Sequence, residues 1–423
     1  MNVFRSRAAL TALGATALLA VSTAAPSVAA TPTNGATGTG RVPSAALDWY
    51  DTTAETIATA GAATQVTNNR TWAVSWLAAA RATRAVPDGV ARADFQDAAL
   101  ASAVHDALVA LAPARTEQLD AALRKTLDAI PDGAAETKGV AAGSRQAAIA
   151  LKSREGDGLD PRSVNAPFTV PPAAPGVWQP TPPAYAPATQ YGNRLAKPFA
   201  LRTADQYRLP APPALDSRRY EADLAEVRAY GVREGSSRTA RQTETANFWL
   251  GSSLTLYTAP LRVAVDRAPR SAADRARLVA LFHIASVDTQ IATSDSKYAH
   301  QRWRPVTAIR TGDIDQDTGW TPLHDTPAHP DYPSGHNTYS GAAEGVLNAL
   351  AGPHTAPYEL TSPTAPGVTR TYTDWHRLSA ENVEARIYSG IHTRSADEAG
   401  IRLGKQVAAE TLRHADTLLR PAR

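Results

Sequence analysis

The chain has 423 residues, 43% of them hydrophobic, with 43 basic and 40 acidic side chains and a formal charge of +3. This predicts a globular protein with a large core, and the near-even charge, without any arginine-rich run interleaved with aromatics, speaks against a nucleic-acid partner. Cysteine is absent, so disulfides, thiol nucleophiles and thiolate metal sites are excluded.

Residues 1–30 read as a secretory signal peptide. Arg5 and Arg7 form the basic end, Ala8 to Val21 the apolar stretch, and Val28-Ala29-Ala30 a small-residue cleavage site. Its removal takes away two arginines and no acid, leaving 41 basic against 40 acidic residues. The sequence has no second apolar run long enough to cross a bilayer, so a secreted protein without stable membrane insertion is expected. Residues 31–43, rich in Thr, Gly and Pro, are expected to be a disordered segment.

Residues 44–160 form a helical region. Ser44 is placed to cap a helix carrying Leu47, Trp49 and Tyr50, and Asn69–Arg81 sets Trp72, Val74, Trp76 and Leu77 at helical spacing. Residues 94–130 predict one or two helices with Phe95, Leu100, Val104, Leu108 and Leu111 on one stripe, and Ala141–Arg154 predicts another. From 161 to 215 the texture changes. Pro-Pro pairs at 171–172, 182–183 and 212–213 break any helix, while Trp178, Tyr185, Tyr191, Phe199 and Tyr207 suggest an ordered wrap over the helices.

Residues 216–423 form a second helical region, expected to be catalytic. Helices are predicted over Asp216–Tyr230, after a Thr239/Gln242 capping box, and after Ser271 through Leu278, Phe282 and Val287. Another starts at Ser334-Gly335 and runs past Val346 and Leu350. Ala351–Thr371 reads as a second Pro/Gly-rich excursion, and the last helices fall near Ala380–Ile391 and Ser395–Leu419. Alternating strand patterns are scarce. The fold class is all-α: helical bundles with long Pro-rich loops.

Three short segments in this region carry the chemistry. In Lys297-Tyr-Ala-His-Gln-Arg-Trp-Arg304-Pro305 the two cations are seven residues apart, nearly two helical turns, so both can project from one helix face. In Pro333-Ser334-Gly335-His336 a hydroxyl and a glycine amide open a helix, whose free N-terminal amides favour an anion, and His336 stands by as acid or base. In Arg386-Ile-Tyr-Ser-Gly390-Ile-His392 a third cation precedes a glycine that permits close backbone approach and a second imidazole. Together they supply what a tetrahedral or trigonal-bipyramidal oxyanion needs to be held and made reactive.

The order Lys-x6-Arg-Pro, Pro-Ser-Gly-His, Arg-x3-Gly-x-His resembles the signature of vanadium-dependent haloperoxidases and the related type 2 phosphatidic-acid-phosphatase-like acid phosphatases. Trp178–Pro183 and Arg238–Trp249 also look like the exported bacterial haloperoxidase branch. The resemblance covers about half the chain and implies a vanadate cofactor with His392 as the sole protein ligand of the metal. Lys297, Arg304 and Arg386 would neutralise the equatorial oxygens, Ser334 and the Gly335 amide would donate further hydrogen bonds, and His336 would handle protons on the opposite side. Hydrogen peroxide and halide would be the substrates and a hypohalous species the product. A small organic acceptor and a homodimer are both compatible with the resemblance.

His329 stands where bromide- and iodide-using members carry a histidine, which favours those halides and gives His329 a tuning role. The same parts would serve an acid phosphatase, with His392 attacking phosphorus and His336 protonating the leaving oxygen. A non-catalytic exported anion-binding protein is the third reading. The chain also departs from the family pattern. Ala385 replaces a frequent serine, and Ala396 stands where many members carry the aspartate that would orient the last histidine, with Asp397 one residue late. His300, His324, His354 and His376 read as structural or surface residues, and no zinc-type cluster such as His-Glu-x-x-His occurs.

Overall fold

In a computed structural model of the protein, residues 44–267 and 271–422 are described; the expected signal peptide and disordered segment lie outside them. The first bundle comprises α1 (Ala45–Ala60), α2 (Gln65–Ala82), α3 (Arg92–Leu111), α4 (Thr116–Leu127) and α5 (Ala134–Ser153). Its aromatic stripe is fully buried: Trp49, Tyr50, Trp72 and Trp76. Burial of each such ring contributes roughly 2–3 kcal/mol. Trp72 also stacks on His283 of the central helix, 4.6 Å between centroids.

That central helix, α10 (Ala272–His300), is capped by Ser271, whose hydroxyl accepts from the Asp274 amide. It is buried nearly all round, as a helix at the middle of a large core must be. Between the first bundle and α10 the chain runs through a short helix, α6 (Pro161–Val164), and a long proline-rich course with little regular structure. Prolines supply few backbone donors, and acids of α10 serve several of those that remain. Asp288 accepts from the amides of Phe199, Ala200 and Leu201 at 2.7, 2.6 and 2.9 Å. Asp295 takes Arg194 at 3.0 Å and Arg208 at 2.7 Å. Farther along, Val177 pairs with Arg302, and the Trp178 amide donates to Gln301 O.

The second region adds α7 (Arg218–Gly231), α8 (Ala240–Phe248), α9 (Ser253–Arg267), α11 (Pro305–Thr311), α12 (Gly335–Ala351), α13 (His376–Tyr388), α14 (Arg394–Arg413) and α15 (Ala415–Leu418). The Thr239/Gln242 capping box is formed at the start of α8. Helices α12 and α14 touch backbone to backbone: a Cβ on Gly404 would lie 2.1 Å from Thr338 O.

The expected excursion at Ala351–Thr371 is instead mostly a β-hairpin. Strand β1 (His354–Ser362) pairs antiparallel with β2 (Ala365–Asp374), Tyr358 opposite Tyr372. Tyr358, Leu360 and Ser362 alternate inward, but the prolines and glycine within the strands hide that period in the sequence. Among the described residues the protein is all-α apart from this two-stranded sheet.

Candidate active site

Lys297 and Arg304 do not share a helix face as the spacing suggested. Helix α10 stops at His300 because Gln301 turns into the left-handed region at φ +48, and Arg304 sits in extended backbone as the N-cap of α11. The two cations therefore approach from consecutive elements. Lys297 is fully buried, its Nζ donating to Pro330 O at 2.5 Å and Asp331 O at 3.1 Å. Arg304 is also fully buried and ties together the two loops that carry histidines. Its Nε donates to His329 O and its Nη1 to Ile391 O, both at 2.7 Å. Nη2 lies 3.0 Å from His329 Nδ1, and Nη1 lies 3.1 Å from His392 Nε2.

The second segment places Ser334 at the N-cap of α12, but its hydroxyl does not cap the helix. It lies against the carboxyl of Asp397 and 3.4 Å from Asn337 Nδ2. Gly335 borders open space where a side chain would stand. His336 is half-buried and its Nε2 lies 3.0 Å from Gly251 O. Only an N–H can face a carbonyl, so Nε2 carries the proton and Nδ1 keeps a lone pair.

Arg386 ends the third helix of the site, α13, fully buried, with Nη2 donating to Trp249 O at 2.6 Å. Among the described residues nothing accepts from its Nε. Gly390 adopts φ +76, and a Cβ there would meet Gly231 O at 2.4 Å, so the chain can reverse here only as glycine. The reversal carries His392 into the interior, where its Nδ1 lies 2.6 Å from Asp331 Oδ1.

The electrostatics show that these groups form one site. The His392 pKa is pushed well below the usual histidine range, first by burial and then by Arg304, Lys297, His329 and Arg386. His336 is pushed down to about 3 by burial, then by Arg386, with Lys297 and Arg304 adding. His329 is lowered by burial, Lys297 and Arg304. Both arginines fall to about 10, chiefly through burial. All three imidazoles are therefore neutral at neutral pH. Three buried cations face two buried carboxylates, Asp331 and Asp397, which burial raises toward the neutral acid. Such a site favours an anion.

All eight residues singled out from the sequence, Lys297, Arg304, His329, Ser334, Gly335, His336, Arg386 and His392, thus lie in or against this one constellation. Three contributors were missed. Asp331 contacts His392, and the carbonyls of Trp249 and Gly251 hold Arg386 and His336. The hairpin supports that carbonyl loop, for Thr364 at its turn donates to Asn247 O at 2.7 Å. Asp397 accepts from Asn337 at 2.7 Å beside Ser334 and makes no hydrogen bond to His392. His324 bridges Ser389 and Asn247 at 3.0 and 2.9 Å, a structural place as expected.

The profile of the VCPO second helical-bundle domain matches residues 277–421, which contain all three segments. This part of the chain is similar to the vanadium haloperoxidases. A vanadium chloroperoxidase from Curvularia inaequalis is 29% identical over a stretch covering 29% of this chain and 28% of that relative. The chain thus matches little more than a quarter of the curated relative's length. Among solved structures, the first bacterial vanadium-dependent iodoperoxidase superposes with a TM-score of 0.70 at 23% identity. That match covers 87% of this chain and 95% of the other. An apo-type bacterial vanadium-dependent chloroperoxidase gives 0.64 at 16% identity, covering 84% and 93%. At these identities the two structures establish the fold.

Proposed function

We propose that the protein is a secreted vanadate-dependent haloperoxidase that uses hydrogen peroxide to oxidise bromide or iodide. The observation that carries this reading is His392. It is a neutral, buried imidazole whose Nδ1 is engaged by a carboxylate, so Nε2 offers its lone pair amid three buried cations. That donor set fits vanadate. The free Nε of Arg386 and the open face of Gly335 are further donors suited to oxygen atoms. Bound through His392, vanadate would supply a Lewis-acid centre that activates peroxide without changing oxidation state.

The protein's own groups do the rest. Lys297, Arg304 and Arg386 would neutralise the oxygens and stay fixed by their carbonyl partners, so they need little reorganisation. The overall reaction joins peroxide, halide and one proton into hypohalous acid and water. His336, with Nε2–H held by Gly251 O and Nδ1 bare, would take and return that proton at Nδ1. An anion beside it would raise its pKa from the low value of the unliganded site. His329 stands against Arg304, Nδ1 to Nη2 at 3.0 Å, and so borders the site where the bromide or iodide preference would be set.

The test is peroxide-driven bromination of a diketone with and without added vanadate, run beside hydrolysis of an aryl phosphate. Halogenation that requires vanadate, with iodide and bromide turned over faster than chloride, is expected. Phosphate release that vanadate inhibits, without halogenation, would replace the reading with a phosphatase. N-terminal sequencing of the secreted protein tests the proposed leader: cleavage should follow Ala30.

A further inference from the structure

We propose that Asp331 is the positioning residue of His392, taking the place of the orienting acid that the sequence lacks four residues after that histidine. Position 396 is alanine, and Asp397 is turned toward Ser334 and Asn337. Asp331 reaches His392 from a different segment, the loop between His329 and His336. Its Oδ1 lies 2.6 Å from His392 Nδ1, and its Oδ2 accepts from Thr393 Oγ1 at 2.8 Å. Its backbone is fixed as well: the amide donates to Arg302 O at 2.9 Å and the carbonyl accepts from Lys297 at 3.1 Å. Both carboxylate oxygens and both backbone polar groups are thus engaged, and the residue is fully buried.

A carboxylate oxygen here has only acceptor capacity to offer an imidazole N–H. It therefore holds the proton of His392 on Nδ1. Arg304 Nη1, a donor, faces Nε2 at 3.1 Å and favours the same tautomer from the other side. The Nε2 lone pair is then directed into the cationic pocket. Such outer partners raise ligand basicity and fix ring orientation, and their loss typically weakens metal binding about 10–100-fold. This inference rests on the vanadate reading above.

Vanadate and phosphate distinguish a positioning role from a merely structural one. Both are tetrahedral anions for the three cations to hold, but only vanadium accepts a bond from an imidazole without chemical turnover. Calorimetric affinities of both oxyanions are to be compared in wild type, D331A and D331N, together with the nitrogen-15 shifts of His392 in the unliganded proteins. D331A should weaken vanadate about 10–100-fold while phosphate changes by less than about 3-fold. D331N, whose Oδ1 can still accept from Nδ1–H, should fall between. The shifts should report Nδ1–H in wild type and a mixture of tautomers in D331A. Unchanged vanadate affinity in D331A, equal losses for both oxyanions, or a wild-type His392 protonated at Nε2 would each overturn the proposal. If D331A does not fold, a D331N protein must still lose vanadate affinity more than phosphate affinity. A wild type that binds the two oxyanions alike would fail the vanadate reading instead. The tautomer shifts of wild type and D331N would then decide the role of Asp331.

Discussion

Replacing Arg304 by lysine keeps a basic side chain and removes a shape. The guanidinium spans two loops with six polar contacts, the strongest being His329 O and Ile391 O, both at 2.7 Å and reached through different nitrogens. A lysine ends in a single nitrogen and can satisfy one loop, not both. At least one buried carbonyl then loses a charged donor, which costs about 1.5–3 kcal/mol, and the second loop's remaining contacts add to that. An opposing effect exists. Burial already holds Lys297 well below the ordinary lysine range, and a second buried lysine would be lowered in the same way, easing repulsion between the two. The donor loss is the larger effect, leaving a net destabilisation of about 2–4 kcal/mol. Unfolding entropy near 2.1 cal/mol/K per residue gives about 0.8 kcal/mol/K for the folded body, Pro43–Arg423. R304K should therefore melt about 3–5 °C lower in phosphate-free buffer, by calorimetry and urea titration. A variant within about 0.5 kcal/mol of wild type would refute the claim that this side chain joins the two loops.

Further consequences can be checked independently. H336A should cut halogenation turnover about 100-fold or more while leaving oxyanion affinity within a few-fold, because the imidazole handles protons and the cations do the holding. G404A should lower the unfolding free energy measured by urea titration by about 1–3 kcal/mol or more, since its methyl would stand 2.1 Å from Thr338 O between α12 and α14. His105 lies 2.7 Å from Asp106 and 2.8 Å from Asp120; burial lowers its pKa, but the two carboxylates outweigh that and raise it. A raised folded-state pKa contributes stability that is fully present below the ordinary histidine value of 6.5 and fades as pH climbs through the folded value, so urea titrations across that range should show a decline that H105Q flattens. The chain has no cysteine and its one methionine is Met1, so with the proposed leader removed the protein would offer the proposed hypohalous product none of the readily oxidised sulfur side chains. Mass spectrometry after turnover should find an added oxygen on L195M, at a position 66% exposed, before any on wild type.

What the sequence made legible follows from where its information lies. The three segments could be read because their chemistry resides in side-chain identity at short spacings, and the capped helix starts at Thr239 and Ser271 because hydroxyl caps have a local signature. Asp331 was not legible: it is one acid in a proline-rich loop, and only the fold shows that it faces a histidine 61 residues away. The Trp249 and Gly251 carbonyls belong to the backbone and leave no trace in residue type. Lys297 and Arg304 were misplaced relative to each other because seven residues of helical period look the same whether or not Gln301 breaks the helix. Strands β1 and β2 were missed because Pro357, Pro366 and Gly367 interrupt the alternation that would have announced them.

The energetics separate two questions that the three segments pose together. Three buried cations against two carboxylates whose ionisation burial disfavours make the unliganded site electrostatically unfavourable, and the surrounding packing must hold it open. Any tetrahedral oxyanion relieves that strain, so the cations select a charge and a shape but not an element. On the proposed reading, selection between phosphorus and vanadium would fall to the neutral imidazole that would bond to the central atom, His392 at Nε2. Its lone pair is available only while the proton stays on Nδ1, which the contact with Asp331 Oδ1 enforces. Affinity for oxyanions and preference for vanadate would therefore be carried by different residues. Substitutions at Lys297, Arg304 or Arg386 should weaken both oxyanions together, whereas substitution at Asp331 should change their ratio.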